Sequence, residues 1–240
     1  MTSQLSPAQA RAITTDWGAQ FPQLKPWRPL RLLRRLGPLL QGITLERSSS
    51  GDDYLPTSHL HALTRPFPVV TLTLAQRLAH RNGAAWRIHV NEHAAKLSMA
   101  AATLREQSVM PLDLPPSPAE VLACYREFIV SQPRLGVPTA MNELEDLICL
   151  ATIMGEAAAV RGGLSLAAEI SDEWEWAPVG YPDVSGWLAH LTTLASDPAA
   201  LCKVVSGEID KHKLGSLPNA WEAVSFPDTQ GGETPITYRP

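Results

Sequence analysis

Trp86-Arg87-Ile88-His89-Val90-Asn91-Glu92-His93-Ala94-Ala95-Lys96-Leu97 is where the apolar period changes, and the fold class follows from that change. Trp86, Ile88 and Val90 alternate with Arg87 and His89, the two-residue repeat of a strand with one buried face. From Asn91 onward the repeat is helical, and Asn91 is placed to cap a helix reaching about Gln107.

Towards the N-terminus, Leu39–Arg47, Ser58–Arg65, Val69–Gln76 and Ala84–Val90 are short runs bounded by turn residues. In the third, Val70, Leu72 and Leu74 share one face and Thr71 and Thr73 the other. Ser48-Ser49-Ser50-Gly51-Asp52-Asp53 is a turn cluster, and Asn82-Gly83 signals a hairpin. These runs predict a sheet of about four strands, mostly antiparallel. Ahead of it, Ser6-Pro7 opens a helix carrying Ala10, Ile13, Trp17 and Phe21, and Leu30–Leu36 reads as a short basic helical turn ended by Gly37.

Towards the C-terminus every strong signal is helical. Ser117-Pro118-Ala119-Glu120 is a capping box ahead of Val121, Leu122, Tyr125, Phe128 and Ile129. Thr139 opens the longest helix, with Met141, Leu144, Ile148 and Ala151 inward and Gly162-Gly163 as its stop. Asp183 and Asp197-Pro198 open two more. Strands followed by helices define an α+β fold, an N-terminal sheet covered by a C-terminal helical layer. The expected organisation is one domain over 1–240. Residues 1–107 hold the opening helix, sheet and first covering helix, 108–225 the helical part and 226–240 an extended tail. The loop Ser108–Pro116 joins the layers.

Composition narrows the function classes. Hydrophobic residues are 45% and charged residues 18% of the 240, as in a globular chain rather than a disordered one. No apolar run approaches the roughly 18 residues of a membrane span, and Met1–Phe21 has no secretory pattern. Cys124, Cys149 and Cys202 stand far apart in apolar helical patterns, which predicts free thiols and a reducing compartment, the cytoplasm. The net charge of −4 is unevenly distributed. Residues 1–110 carry 13 Lys and Arg against 6 Asp and Glu, and residues 111–240 carry 7 against 18. Such halves either attract each other or recruit charged partners.

Catalytic signatures are missing from the sequence. It has no Gly-x-Ser-x-Gly elbow, no phosphate loop, and no cysteine in an electropositive setting. Glu143, Glu145 and Asp146 open a helix, where they complement its dipole. No catalytic residue and no cofactor is expected. One alternative is a metal-dependent enzyme or metal-binding regulator. His59 and His61, two apart on a strand, share a face, and His89 lies on a strand that could adjoin them. Glu92 and His93 follow, but not in the metalloprotease order. Lys25, Arg28, Arg31, Arg34 and Arg35 form a basic stripe at helical spacing. In an acidic chain without interleaved aromatics it reads as a solvated or internally paired face rather than a nucleic-acid site.

The strongest candidate surface is Ser171–Asp183, where Asp172, Glu173, Trp174, Glu175, Trp176 and Tyr181 crowd a stretch of loop formers. Tryptophan and tyrosine anchor protein interfaces, and acids beside them steer a basic partner. The plain alternative is that Trp174 and Trp176 cap the core while Glu173 and Glu175 face water.

Three further stretches carry a resemblance. They are Phe21-Pro22-Gln23-Leu24-Lys25-Pro26-Trp27-Arg28-Pro29, then Arg34-Arg35-Leu36-Gly37-Pro38 through Glu46-Arg47, then Tyr54-Leu55-Pro56-Thr57-Ser58-His59-Leu60-His61. In style they resemble the immunity-type proteins encoded beside bacterial secreted toxins, over about the first third of the chain and without a diagnostic motif. The resemblance implies a cytosolic, non-catalytic protein that plugs a toxin's active site. It carries no functional residue over. Together these readings predict a non-catalytic protein-interaction protein whose partner has a basic surface, with no membrane role.

Overall fold

The computed structural model describes residues 5–221, so the extended tail expected over 226–240 lies outside the described residues. Helix α1 (Pro7–Gln20) starts on a complete capping box. Ser6 Oγ accepts from the Gln9 amide, and Gln9 Oε1 accepts from the Ser6 amide. The sheet follows as β1 (Lys25–Arg28), β2 (Arg31–Leu36), β3 (Leu39–Arg47), β4 (Asp53–Ala62) and β5 (Thr73–Arg77), hydrogen-bonded in that order and antiparallel throughout. A two-residue strand, β6 (Ile88–His89), pairs with the start of β4.

The sheet thus has six strands rather than four. The helical turn expected over Leu30–Leu36 is strand β2, in register with β3 from Arg31↔Thr44 to Leu36↔Leu39. Both faces of this strand are covered. Leu32 and Leu36 point to one layer and Leu33 to the other, so apolar residues do not alternate and the run imitates helical spacing. The same change of geometry dissolves the basic stripe, because on a strand Arg34 faces away from Arg31 and Arg35. Two other runs shrink: Val69–Gln76 pairs only from Thr73, and Ala84–Val90 only at Ile88–His89. The Asn82-Gly83 turn is present, closed by Gly83 N–H to His80 O at 2.8 Å, but it joins a single bridge, Ala79↔Ala85.

A 3-10 turn (Val90–Glu92) leads into α2 (His93–Gln107). The side chain capping that turn is His89, which accepts from the Asn91 amide, rather than Asn91 itself. Helix α3 (Pro118–Ser131) begins on the expected Ser117–Glu120 box. The long helix expected from Thr139 to Gly163 is two helices, α4 (Met141–Ile153) and α5 (Ala157–Ser171), broken at Met154–Glu156. Gly162-Gly163 sits inside α5 and ends nothing. A Cβ on Gly163 would stand 2.9 Å from Ile148 Cγ1, so the glycine lets α5 close onto α4. Asp183 and Asp197 cap α6 (Val184–Ser196) and α7 (Pro198–Lys211) as their sequence contexts predict.

Packing joins these layers. Leu32, Ile43, Leu45 and Tyr54 meet Trp17, Phe21 and Leu104 from α1 and α2. Further along the same face, Leu36, Leu39, Leu60 and Ala62 enter one cluster with Tyr125, Leu144, Ile148, Leu166 and Trp187 from the later helices. The opposite face packs Leu33 and Leu40 against Leu63, Val70, Leu214 and Leu217. Arg34, only 2% exposed, holds the connecting loop in place. Its guanidinium donates to Gln41 Oε1 and to the carbonyls of Pro111 and Leu114, at 2.6 to 3.2 Å. Burial draws its pKa down to about 10, still well above neutrality, and every polar hydrogen it aims inward meets an oxygen.

Candidate functional site

The loop after α3 and the loop after α5 run side by side, tied by the Glu175 amide donating to Gly136 O at 2.7 Å. Pro133, Gly136 and Pro138 keep the first loop out of helix. Three apolar side chains flank the tie and face solvent, Leu135 at 68%, Val137 at 40% and Trp176 at 66% exposure, and Val179, three residues beyond Trp176, is 95% exposed. Single exposed apolar residues are ordinary, but four on two adjoining loops form a patch.

Acids surround it. Asp172, Glu173 and Glu175 are exposed, and Arg134 is shared between Glu169 (2.9 Å) and Glu173. That guanidinium offsets part of the charge and leaves the rim negative. It also orients Glu173 beside the patch instead of letting it swing freely.

The segment Ser171–Asp183 therefore divides. Trp174 is half-buried, its ring 4.9 Å from that of the fully buried Trp187, and packs on the main core as the plain alternative held. Trp176, two residues on, is solvent-facing. Tyr181 is half-buried against the His190 ring, and its hydroxyl pKa is raised by burial and by the negative charge of Glu145. Asp172, Glu173, Glu175 and Trp176 remain at the surface; Trp174 and Tyr181 serve packing. Sequence reasoning missed Arg134, Leu135 and Val137. Their one local signal is an apolar pair isolated among Pro133, Gly136 and Pro138, where no periodic element explains it.

The histidines separate. His59 and His61 do share a face of β4, as their spacing predicts. His59 Nε2 lies 3.1 Å from Thr44 Oγ1 and His61 Nδ1 lies 2.8 Å from Thr71 Oγ1. His89 is not with them. It pairs with Asp53, six positions back along β4, and stands 3.8 Å from Asp52. Among the described residues no three His, Cys, Asp or Glu side chains are arranged to hold a metal. Burial keeps both strand histidines neutral, lowering His59 to about 3 and His61 to about 4. A neighbouring ring and an arginine push each the same way, His61 and Arg31 for His59, His212 and Arg65 for His61.

His93 belongs to a different arrangement that crosses three elements. Trp17 Nε1 donates to the Tyr54 hydroxyl at 3.1 Å, and that hydroxyl is hydrogen-bonded to His93 Nδ1 at 2.6 Å. His93 Nε2 then points at Asp16 Oδ2, 3.0 Å away. Tyr54 is 0% exposed and burial lifts its pKa to about 12, so the chain acts as a buried strap between α1, β4 and α2. Asp146, expected to complement a helix dipole, is instead 1% exposed and paired with Arg65 at 3.1 Å. Burial raises its pKa to about 7 against the pull of Arg65. Burial likewise lifts the thiols, Cys124 to about 11, which makes them poorer nucleophiles.

No protein-family model, curated protein or solved structure matches this chain. Among the described residues no helix is long and apolar enough to cross a membrane.

Proposed function

We propose that this chain is a non-catalytic, cytosolic interaction protein of the immunity type, which binds a basic protein partner through the paired loops 132–140 and 172–180. One observation carries the reading. Trp176 is two-thirds exposed beside Leu135, Val137 and Val179, inside a rim of Asp172, Glu173, Glu175 and Glu169. A solvent-facing tryptophan with aliphatic neighbours is the composition of an interface anchor. The acids supply long-range attraction, which speeds encounter with a cationic surface more than it tightens the final complex.

The two tryptophans give the test. Trp176→Ala is expected to leave the melting curve within about 0.5 kcal/mol of the parent and to weaken partner binding by about 2 kcal/mol or more. Trp174→Ala, removing the ring on Trp187, is expected to cost about 2 kcal/mol of folding stability. Glu175→Lys should slow association, with an effect that shrinks as salt rises. The parent chain and the Trp176→Ala chain serve as parallel baits in host lysate. The expected result is a basic protein retained only by the parent, toxic when expressed alone and neutralised by co-expression. A partner held equally by both baits would remove the patch from the account. A captured protein without toxicity would remove the immunity reading and leave the interface.

A further inference from the structure

The β1 end of the sheet carries a second charged feature of opposite sign. Strand β1 and strand β2 are joined by the two residues Pro29-Leu30, and across that turn Arg28 stands directly opposite Arg31. The turn is held under strain. Leu30 has φ +66°, a left-handed conformation that is unfavourable for a residue carrying a β-carbon. Its side chain is nonetheless buried, and its amide donates to Thr14 Oγ1 of α1 at 2.6 Å. The tip is therefore clamped to the first helix.

Clamping brings cations together. The Arg28 guanidinium lies over the Trp27 ring, 4.1 Å from its centroid, and Arg11 of α1 lines the same cleft of about 280 Å³ with Thr15, Trp27 and Arg28. Among the described residues no carboxylate comes within ion-pair distance of Arg11, Arg28 or Arg31. Elsewhere on the molecule the arginines at 65, 77, 87, 105 and 134 each have an acid. Burial, and then the adjacent Arg28, lower the pKa of Arg31, as expected for like charges brought together without a counterion. In a chain of net charge −4 such a cluster is not the average surface.

We propose that the tip of the β1–β2 hairpin is an anion site, in which Arg11 and Arg28 take a compact polyanion of the diphosphate type, while Arg31, which donates to the Val70 carbonyl, adds positive charge from the adjoining strand. Guanidinium forks match phosphate oxygens bidentately, and a fixed backbone spares the ligand the cost of ordering them. The cleft has room for one such group. A nucleic-acid strand fits less well, because the Trp27 ring face that would stack a base is already covered by Arg28. The site lies on the N-terminal sheet, remote in sequence from the acidic loops, and does not depend on the function proposed for them.

Calorimetric titration of the whole chain with inorganic pyrophosphate tests this. The expected result is saturable one-to-one binding, weakened at least tenfold by Arg28→Gln and by Arg11→Gln, and unchanged by Arg81→Gln. Arg11 and Arg28 are exposed, so these variants keep the fold, which circular dichroism checks. Adenosine diphosphate, run in parallel, shows whether a nucleotide-borne diphosphate enters as well as the free ion; either source fits the site. Absence of saturation up to about 10 mM, or equal affinity in Arg28→Gln, would overturn the proposal. So would a single-stranded oligonucleotide that binds more tightly than pyrophosphate and loses that binding in Arg28→Gln.

Discussion

Gly42→Ala is expected to destabilise the fold by about 4 kcal/mol or more, beyond the roughly 1–3 kcal/mol of ordinary overpacking. Gly42 lies at the middle of β3, between Leu33 on β2 and His59 on β4. A Cβ there would stand 2.1 Å from the Leu32 carbonyl oxygen and 2.5 Å from Leu33 Cδ2. The leucine methyl could rotate away. The carbonyl belongs to the neighbouring strand's backbone, so relief means parting β2 from β3 in the centre of the sheet. Glycine ordinarily weakens a strand, and its presence in a ladder marks a close approach of this kind. Gly207→Ala is the matched control: it lies at an exposed position of α7 with nothing within 4 Å of the added carbon, and should be neutral or stabilising by up to about 1 kcal/mol. Urea titration of both variants measures the difference. A Gly42→Ala protein within about 1 kcal/mol of the parent would mean that β2 and β3 are not paired in this register.

The contrast between these glycines shows what could be read in the sequence and what could not. Ser6-Pro7 and Ser117-Pro118-Ala119-Glu120 could be read because a capping box is complete within four residues and needs nothing from the rest of the chain. Asp183 and Asp197 follow the same rule. The period change near Asn91 was equally local, and it placed the sheet before the helices. Strand β2 was hidden because both its faces are covered, which removes the alternation that betrays a strand. Gly162-Gly163 passed for a helix end because the reason for Gly163 is Ile148, on another helix. At the candidate surface, Trp174 and Trp176 share Glu175 as a neighbour and lie in one run of loop formers, so no local pattern sorts them. Trp187 sorts them, by packing at a tilt against Trp174 while Trp176 stays in solvent. The apolar half of that patch, Leu135 and Val137, comes from a loop some forty positions away, which a backbone hydrogen bond and the Arg134 ion pairs bring alongside.

The histidines give the second large effect, a net loss of about 2 kcal/mol of stability between pH 6.5 and pH 4.5. His59 and His61 stay neutral in the fold down to about 3 and about 4, whereas unfolded histidines gain a proton near pH 6.5. Across this window the unfolded chain binds more protons than the native one, so acid favours unfolding, by about 1.4 kcal/mol per pH unit for each histidine. Asp146 acts in the opposite sense. Its folded pKa is raised to about 7, so between about pH 4 and pH 7 the native state holds a proton that the unfolded chain has released. Acid therefore recovers about 1.4 kcal/mol per unit at this one site, and two histidines outweigh one carboxylate. Two variants separate the contributions. His61→Gln should leave one histidine against Asp146 and flatten the curve almost completely, whereas Asp146→Asn should double its slope. Stability measured by urea titration at half-unit steps of pH would show both changes. A parent curve that instead gains stability from pH 6.5 to 4.5, with His61→Gln parallel to it, would mean that these rings take up protons in the folded protein, leaving Asp146 to set the slope, and that the face of β4 they occupy is open to water.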